Sequence, residues 1–166
     1  MVRVTIESGG ATDPLPPGKS NWMGKYEPGG WCSIKVNNAE EGLNSIGLNI
    51  VVLKYPEQNP PEHSTSFDLC KDPTACNALV GFFRGLQPNR YILMSACCSI
   101  TDCLSQELCD ELAALGSGYF RKPMQELSGA HRNESWVMVC QKGVGLIKES
   151  FRPAGSGPTV ENVDIN

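Results

Sequence analysis

Val2, Val4 and Ile6 alternate with polar neighbours, the period of a strand with one buried face. Residues 9–31 carry GG, DPLPPG and EPGG. These turn formers predict an irregular loop, held down by Cys32 and by Trp22 or Trp31. Ile34 and Val36 restart a short strand. The run LNIVVL, Leu48 to Leu53, is apolar and β-branched without interruption, which predicts a central strand covered on both faces. Pro60-Pro61 keeps YPEQNPPEHST a surface loop, and a short strand follows around Ser66 to Leu69. Asp72 reads as an N-cap with Pro73 in the first helical position, and Ala75, Leu79, Phe82, Phe83 and Leu86 form an apolar helical stripe. YILMSA predicts a buried strand. Ser99 with Asp102 resembles a capping box ahead of a helix bearing Leu104, Leu108, Leu112 and Leu115, which Gly116 ends. Trp136 to Cys140 is a further strand, GVG a turn, and Leu146 to Phe151 a last strand before a Gly/Pro-rich tail. No internal repeat is visible. The element order predicts a mixed α/β fold rather than a doubly wound nucleotide-binding one.

A chain of 166 residues with 40% hydrophobic and 19% charged residues has enough apolar material for one core. One domain is expected over residues 1–154, with 155–166 as an extended tail. The net charge of −4 and the lack of any Lys/Arg cluster argue against nucleic acid and anionic membrane surfaces as partners. No apolar run approaches the ~20 residues of a membrane span. MVRVTIESGG is not a signal peptide, so a secreted protein would have had its leader removed. Eight cysteines are many for a reducing compartment and suggest an extracellular disulfide framework. Cys70 and Cys76, flanking a helix start, are the best single pairing. Cys103 and Cys109, if on one helix, point apart. The adjacent Cys97 and Cys98 leave one thiol for a bridge between subunits, and a homodimer, disulfide-linked or not, is expected. The C-x-x-C spacing of zinc and thioredoxin-like sites is missing.

Five segments in order resemble the ILEI/PANDER-like domain: GLNIVVL, SFDLC, NRYILMSA, LAALGSGYF and HRNESWVMVCQKGVG, together covering residues 32–151. The resemblance implies two packed β-sheets lined by two or three short helices, in a secreted module that is cytokine-like in some members and glycan-binding in others. Sugar-binding relatives draw on an arginine before the central strand, an acidic residue after the middle strand and an arginine before the tryptophan. Here these positions hold Ile46, Cys98 or Ser99, and Arg132; only the last matches. In size and class the chain is also similar to small invertebrate galactose-binding lectins.

Catalysis is not expected. The chain has two histidines, His63 and His131, and no G-x-S-x-G, phosphate loop or zincin motif. Sugar binding needs an aromatic face with polar groups or a calcium ion holding adjacent hydroxyls. Trp22, Tyr26 and Trp31 lie in the N-terminal loop and could provide that face, with Trp22 and Trp31 as the candidate ligand-binding aromatics, although each, as a single residue, is more often a pin for such a loop. Arg132, Asn133 and Glu134 are the expected ligand contacts, with Glu134 and Asp102 as candidate calcium ligands. Oxygen-rich segments without EF-hand spacing are more often solvated surface. Asn133-Glu134-Ser135 is also a formal N-glycosylation site. The expected function is a secreted, calcium-assisted lectin for galactose or another terminal sugar, and the alternative is a cytokine-like ligand of a protein receptor.

Overall fold

The computed structural model describes residues 1–166. Nine strands form two antiparallel sheets, and the helices pack on the outer face of the larger one. The smaller sheet contains β1 (Val2–Gly9), β2 (Trp31–Val36), β3 (Ala39–Glu40) and β9 (Thr159–Ile165), in the order β3-β2-β1-β9. The larger contains β4 (Gly47–Leu53), β5 (His63–Phe67), β6 (Tyr91–Cys97), β7 (Ser135–Gln141) and β8 (Gly145–Arg152), in the order β5-β4-β6-β7-β8. The helices are α1 (Ala75–Gly85), α2 (Gln106–Ala114) and α3 (Met124–Ser128), with a single 3₁₀ turn at Tyr119–Arg121. The expected mixed α/β architecture of two packed sheets lined by short helices is therefore present.

The unbroken apolar character of the central strands follows from their having two dry faces. Successive strand residues point to opposite sides. Leu48, Ile50 and Val52, with Ile92 and Met94 of β6 and Trp136 and Met138 of β7, face the helices. Their neighbours Val51, Leu53, Leu93, Val137 and Val139 face Val4, Ile6, Ile34 and Val163 of the smaller sheet. Gly47 starts β4 with φ +94°, a conformation open to glycine. The backbone of Phe67–Leu69 presses against the place where a side chain would begin.

Three local expectations need correction. The first helix starts at Ala75, because Asp72 spends its Oδ1 on the amide and hydroxyl of Thr74, 2.8 and 2.7 Å away, closing a turn before the helix. The second starts at Gln106: Ser105 caps it by accepting from the Leu108 amide at 3.2 Å, while the Ser99 hydroxyl bonds within its own loop to Thr101. The segment read as a tail contains β9, whose Val163 and Ile165 enter the core between the sheets as the strand pairs with β1. The chain's end therefore completes the smaller sheet.

All eight cysteines are free thiols in this structure, which shows none of the disulfides expected from the sequence. Cys70 and Cys76 turn to different partners. The first points its sulfur at Asp102 Oδ2, 3.6 Å away, and the second at the carbonyl of Cys103.

Candidate functional site

One end of the molecule gathers the residues the sequence singled out. β6 runs out at Cys97 into the loop carrying Cys98 to Asp102, α3 is followed by the turn Arg132–Glu134, and the long loop after β1 closes over both. Gly10 is part of that closure. A side chain there would strike the carbonyl oxygen of Asn133, so the glycine lets the two loops touch. Asp13, fully buried, holds the loop from inside: its carboxylate accepts from the Gly10 amide at 2.7 Å and from Gly157 N at 3.1 Å.

Arg132 and Asp102 meet here. Arg132 Nε lies 2.9 Å from Asp102 Oδ1, with the arginine side chain 62% exposed and the aspartate 19%. Such a rim pair contributes little to stability and leaves guanidinium N–H groups free for a ligand. Asn133 takes a left-handed conformation, φ +62°, which asparagine tolerates and which turns the chain into β7.

Glu134 was expected at a ligand edge, but its side chain is only 6% exposed. Its Oε2 accepts from the Tyr119 hydroxyl at 3.0 Å and lies 2.9 Å from His131 Nδ1. On the other side of the imidazole, Nε2 meets Glu126 Oε1 at 3.0 Å. Lys122 Nζ sits 3.1 Å from the same nitrogen and over the Tyr119 ring at 4.7 Å. This network, which sequence reading missed, fastens α3 and the turn to β7. Burial pushes the Tyr119 hydroxyl far above its ordinary range, reinforced by the Glu134 charge. Burial also pulls the His131 pKa down, yet its bonds to Glu134 and Glu126 outweigh that and the Lys122 charge, so the net shift is upward. A raised histidine pKa stabilises the fold fully below the unfolded value, about 6.5, and that contribution is lost as pH rises through the folded value. Replacing His131 by Gln should therefore lower Tm by about 2–4 °C near pH 5.5, an effect of roughly 1 kcal/mol for a partly solvated group, and by much less at pH 8.5. Thermal melts giving equal gaps at the two pH values would rule out a protonated imidazole in the native state.

Asp102 and Glu134, the candidate calcium ligands, thus have different partners. No group of three or more His, Cys, Asp or Glu side chains stands together in a metal-holding arrangement. Trp31 is buried, with its ring against Gly9 and Lys19 Nζ 5.2 Å from the ring centre. Trp22 is half-buried, with Lys71 Nζ at 5.4 Å from its ring. Of the three loop aromatics, Tyr26 alone is largely exposed.

A second surface lies along the open edges of the two sheets. β8 is the last strand of the larger sheet and β9 of the smaller. Leu146, Ile147 and Phe151 of β8, Val144 beside it and Val160 of β9 are all exposed. Residues 150–152 and 158–161 line a concavity of about 490 Å³ between the strands. Phe151 is held at its rim by Tyr119, 5.0 Å between ring centres, and by Lys122, 4.5 Å from its own.

The helix-covered sheet, from the residue before Gly47 through the turn after β7, coincides with a family match: residues 46–144, more than half of the chain, fit the family described as ILEI, interleukin-like EMT inducer. The chain belongs to this family. ILEI domains occur in secreted cytokine-like proteins, and no helix of this one is long and apolar enough to cross a membrane. No curated protein matches the chain. The ILEI match begins at Ile46 and ends at Val144. It therefore includes the Asp102–Arg132 pair but neither the N-terminal loop nor most of the β8–β9 edge.

Proposed function

We propose that this ILEI protein is a secreted, cytokine-like ligand that acts by binding a protein partner, without turning over a substrate. The observation that carries the reading is the β8 edge: an eight-residue strand with one unpaired backbone edge and three exposed large apolar residues. Soluble proteins normally blunt such edges, and an exposed apolar patch with free main-chain donors and acceptors suits a partner that adds a strand. Both histidines are engaged in packing or ion pairs, His63 edge-on to Phe82 at 5.5 Å and His131 between its two glutamates, which supports binding over catalysis.

The glycan-binding reading stands second. It rests on the exposed Arg132 guanidinium beside Asp102, at the one position where the sugar-binding pattern is kept.

One experiment separates the two. Labelled protein is titrated onto cultured epithelial cells, untreated or stripped with protease, with and without excess galactose or chelator. A protein ligand predicts saturable binding that protease removes, that galactose and chelator leave intact, and that Ile147→Lys weakens at least tenfold. Binding displaced by galactose and weakened by Arg132→Ala would favour the lectin reading. Ile147→Lys binding like the parent would remove the β8 edge from consideration.

A further inference from the structure

Three thiols, one from each sheet and one from the loop after β6, meet beneath the N-terminal loop. Cys32 is the second residue of β2 in the smaller sheet, and Cys97 the last of β6 in the larger. The Asn44 side chain sits between them. Its Oδ1 accepts from the Cys32 amide at 2.8 Å and lies 3.9 Å from the Cys97 sulfur. With β2 packed across β6, the Cys97 thiol lies beside those of both Cys32 and Cys98. All three residues are buried.

The contact with Cys98 is built by a backbone irregularity. Consecutive side chains on a strand point to opposite faces, but Cys98 has φ +68°, and the left-handed step brings its sulfur back beside that of Cys97. A non-glycine residue seldom adopts this conformation without being held in it. Gly30 helps to hold it: a side chain there would lie 2.5 Å from the Cys98 sulfur and 2.6 Å from its amide nitrogen. The Cys98 sulfur also points at the Gly29 carbonyl, 3.1 Å away.

Cys97 therefore has two candidate partners, and covalent geometry chooses between them. Disulfide-linked residues have Cα atoms roughly 4.4–6.8 Å apart, whereas neighbours in sequence are held at about 3.8 Å. A bond between Cys97 and Cys98 would be strained, while one to Cys32 spans two facing strands. We propose that Cys32 and Cys97 oxidise to a disulfide that fastens the smaller sheet to the larger, leaving Cys98 as a free thiol beside it.

The oxidant is a small disulfide such as glutathione disulfide, of the kind available in a secretory compartment. One cysteine thiolate attacks it, forming a mixed disulfide and releasing one glutathione. The second cysteine, on losing its proton, attacks the protein sulfur of that mixed disulfide and releases the other. Two protein thiols give up two electrons and two protons, and one glutathione disulfide becomes two glutathiones.

The test uses the full chain, refolded in a glutathione redox buffer, alkylated, and digested without reductant for mass spectrometry. A cross-linked peptide pair joining Cys32 to Cys97, with Cys98 alkylated, is expected. The Cys98→Ser variant should form the same cross-link and the Cys97→Ser variant should not. Reduction should lower Tm by on the order of 10 °C in the parent and in Cys98→Ser, and by much less in Cys32→Ser. A Cys97–Cys98 bond, a pairing of either residue with any other cysteine, or three alkylated thiols after refolding would each overturn the assignment.

Discussion

Trp136→Ala is expected to lower the unfolding free energy by about 3–5 kcal/mol, the range for removing a fully buried tryptophan. Its indole meets Phe120 edge-on at 5.3 Å and Tyr119 at 6.4 Å. Its Nε1 donates to Glu149 Oε1 at 3.0 Å. The same carboxylate accepts from the Ser117 hydroxyl at 2.5 Å and the Gly118 amide at 2.8 Å, so the indole, the turn after α2 and β8 share one acceptor. Losing the ring opens a cavity and takes a donor from that acceptor. Urea titration of the parent and the variant measures the difference. A loss below 1 kcal/mol would mean that Tyr119 and Phe120 collapse into the space, and would remove Trp136 as the keystone between the larger sheet and the helices.

Gly47→Ala should cost about 4 kcal/mol or more, although it adds only one methyl group. At φ +94° an alanine is strained before it touches anything. Its Cβ would then meet the Phe67 carbonyl and stand 2.8 Å from Asp68 Cα and 2.9 Å from Leu69 N. Those atoms are backbone and cannot rotate away, so either β4 or the chain leaving β5 must move. Such a displacement lies in the group of unusually large single-residue effects. Expression with wild-type Tm would show that the strand can begin one residue later at no cost, and would refute the close-approach argument.

Much of the fold could be read from the sequence because the signals were local. The alternation of Val2, Val4 and Ile6, the double-sided apolar runs of β4 and β6, and the stripe on α1 each state their own burial. β9 was missed because its alternation is diluted: in TVENVDI the inward positions are Thr159, Glu161, Val163 and Ile165, half of them polar, and only pairing with β1 makes the segment a strand. The start of α2 was misplaced because Ser99 and Ser105 both carry a capping hydroxyl, and the choice depends on where β6 releases the chain. Arg132 was legible as a rim residue and Asp102 as a nearby acid, but their pairing was not. Glu134 was read as a surface ligand because its neighbours Arg132 and Asn133 are polar, whereas its partners Tyr119 and His131 come from the segment before the turn. The doublet Cys97-Cys98 is conspicuous in sequence, yet nothing local to it points to Cys32.

The central strands of the larger sheet, dry on both faces, also bear on how a family with this fold could diversify. A substitution on β4, β6 or β7 disturbs either the packing under the helices or the packing between the sheets, so these strands offer no face on which a new specificity can be tried without a stability cost. Surface change is confined to the strand ends and the two open margins. Those are where the Arg132–Asp102 pair and the β8–β9 concavity lie. A sugar-binding relative and a receptor-binding one could then share one interior and differ only along its perimeter.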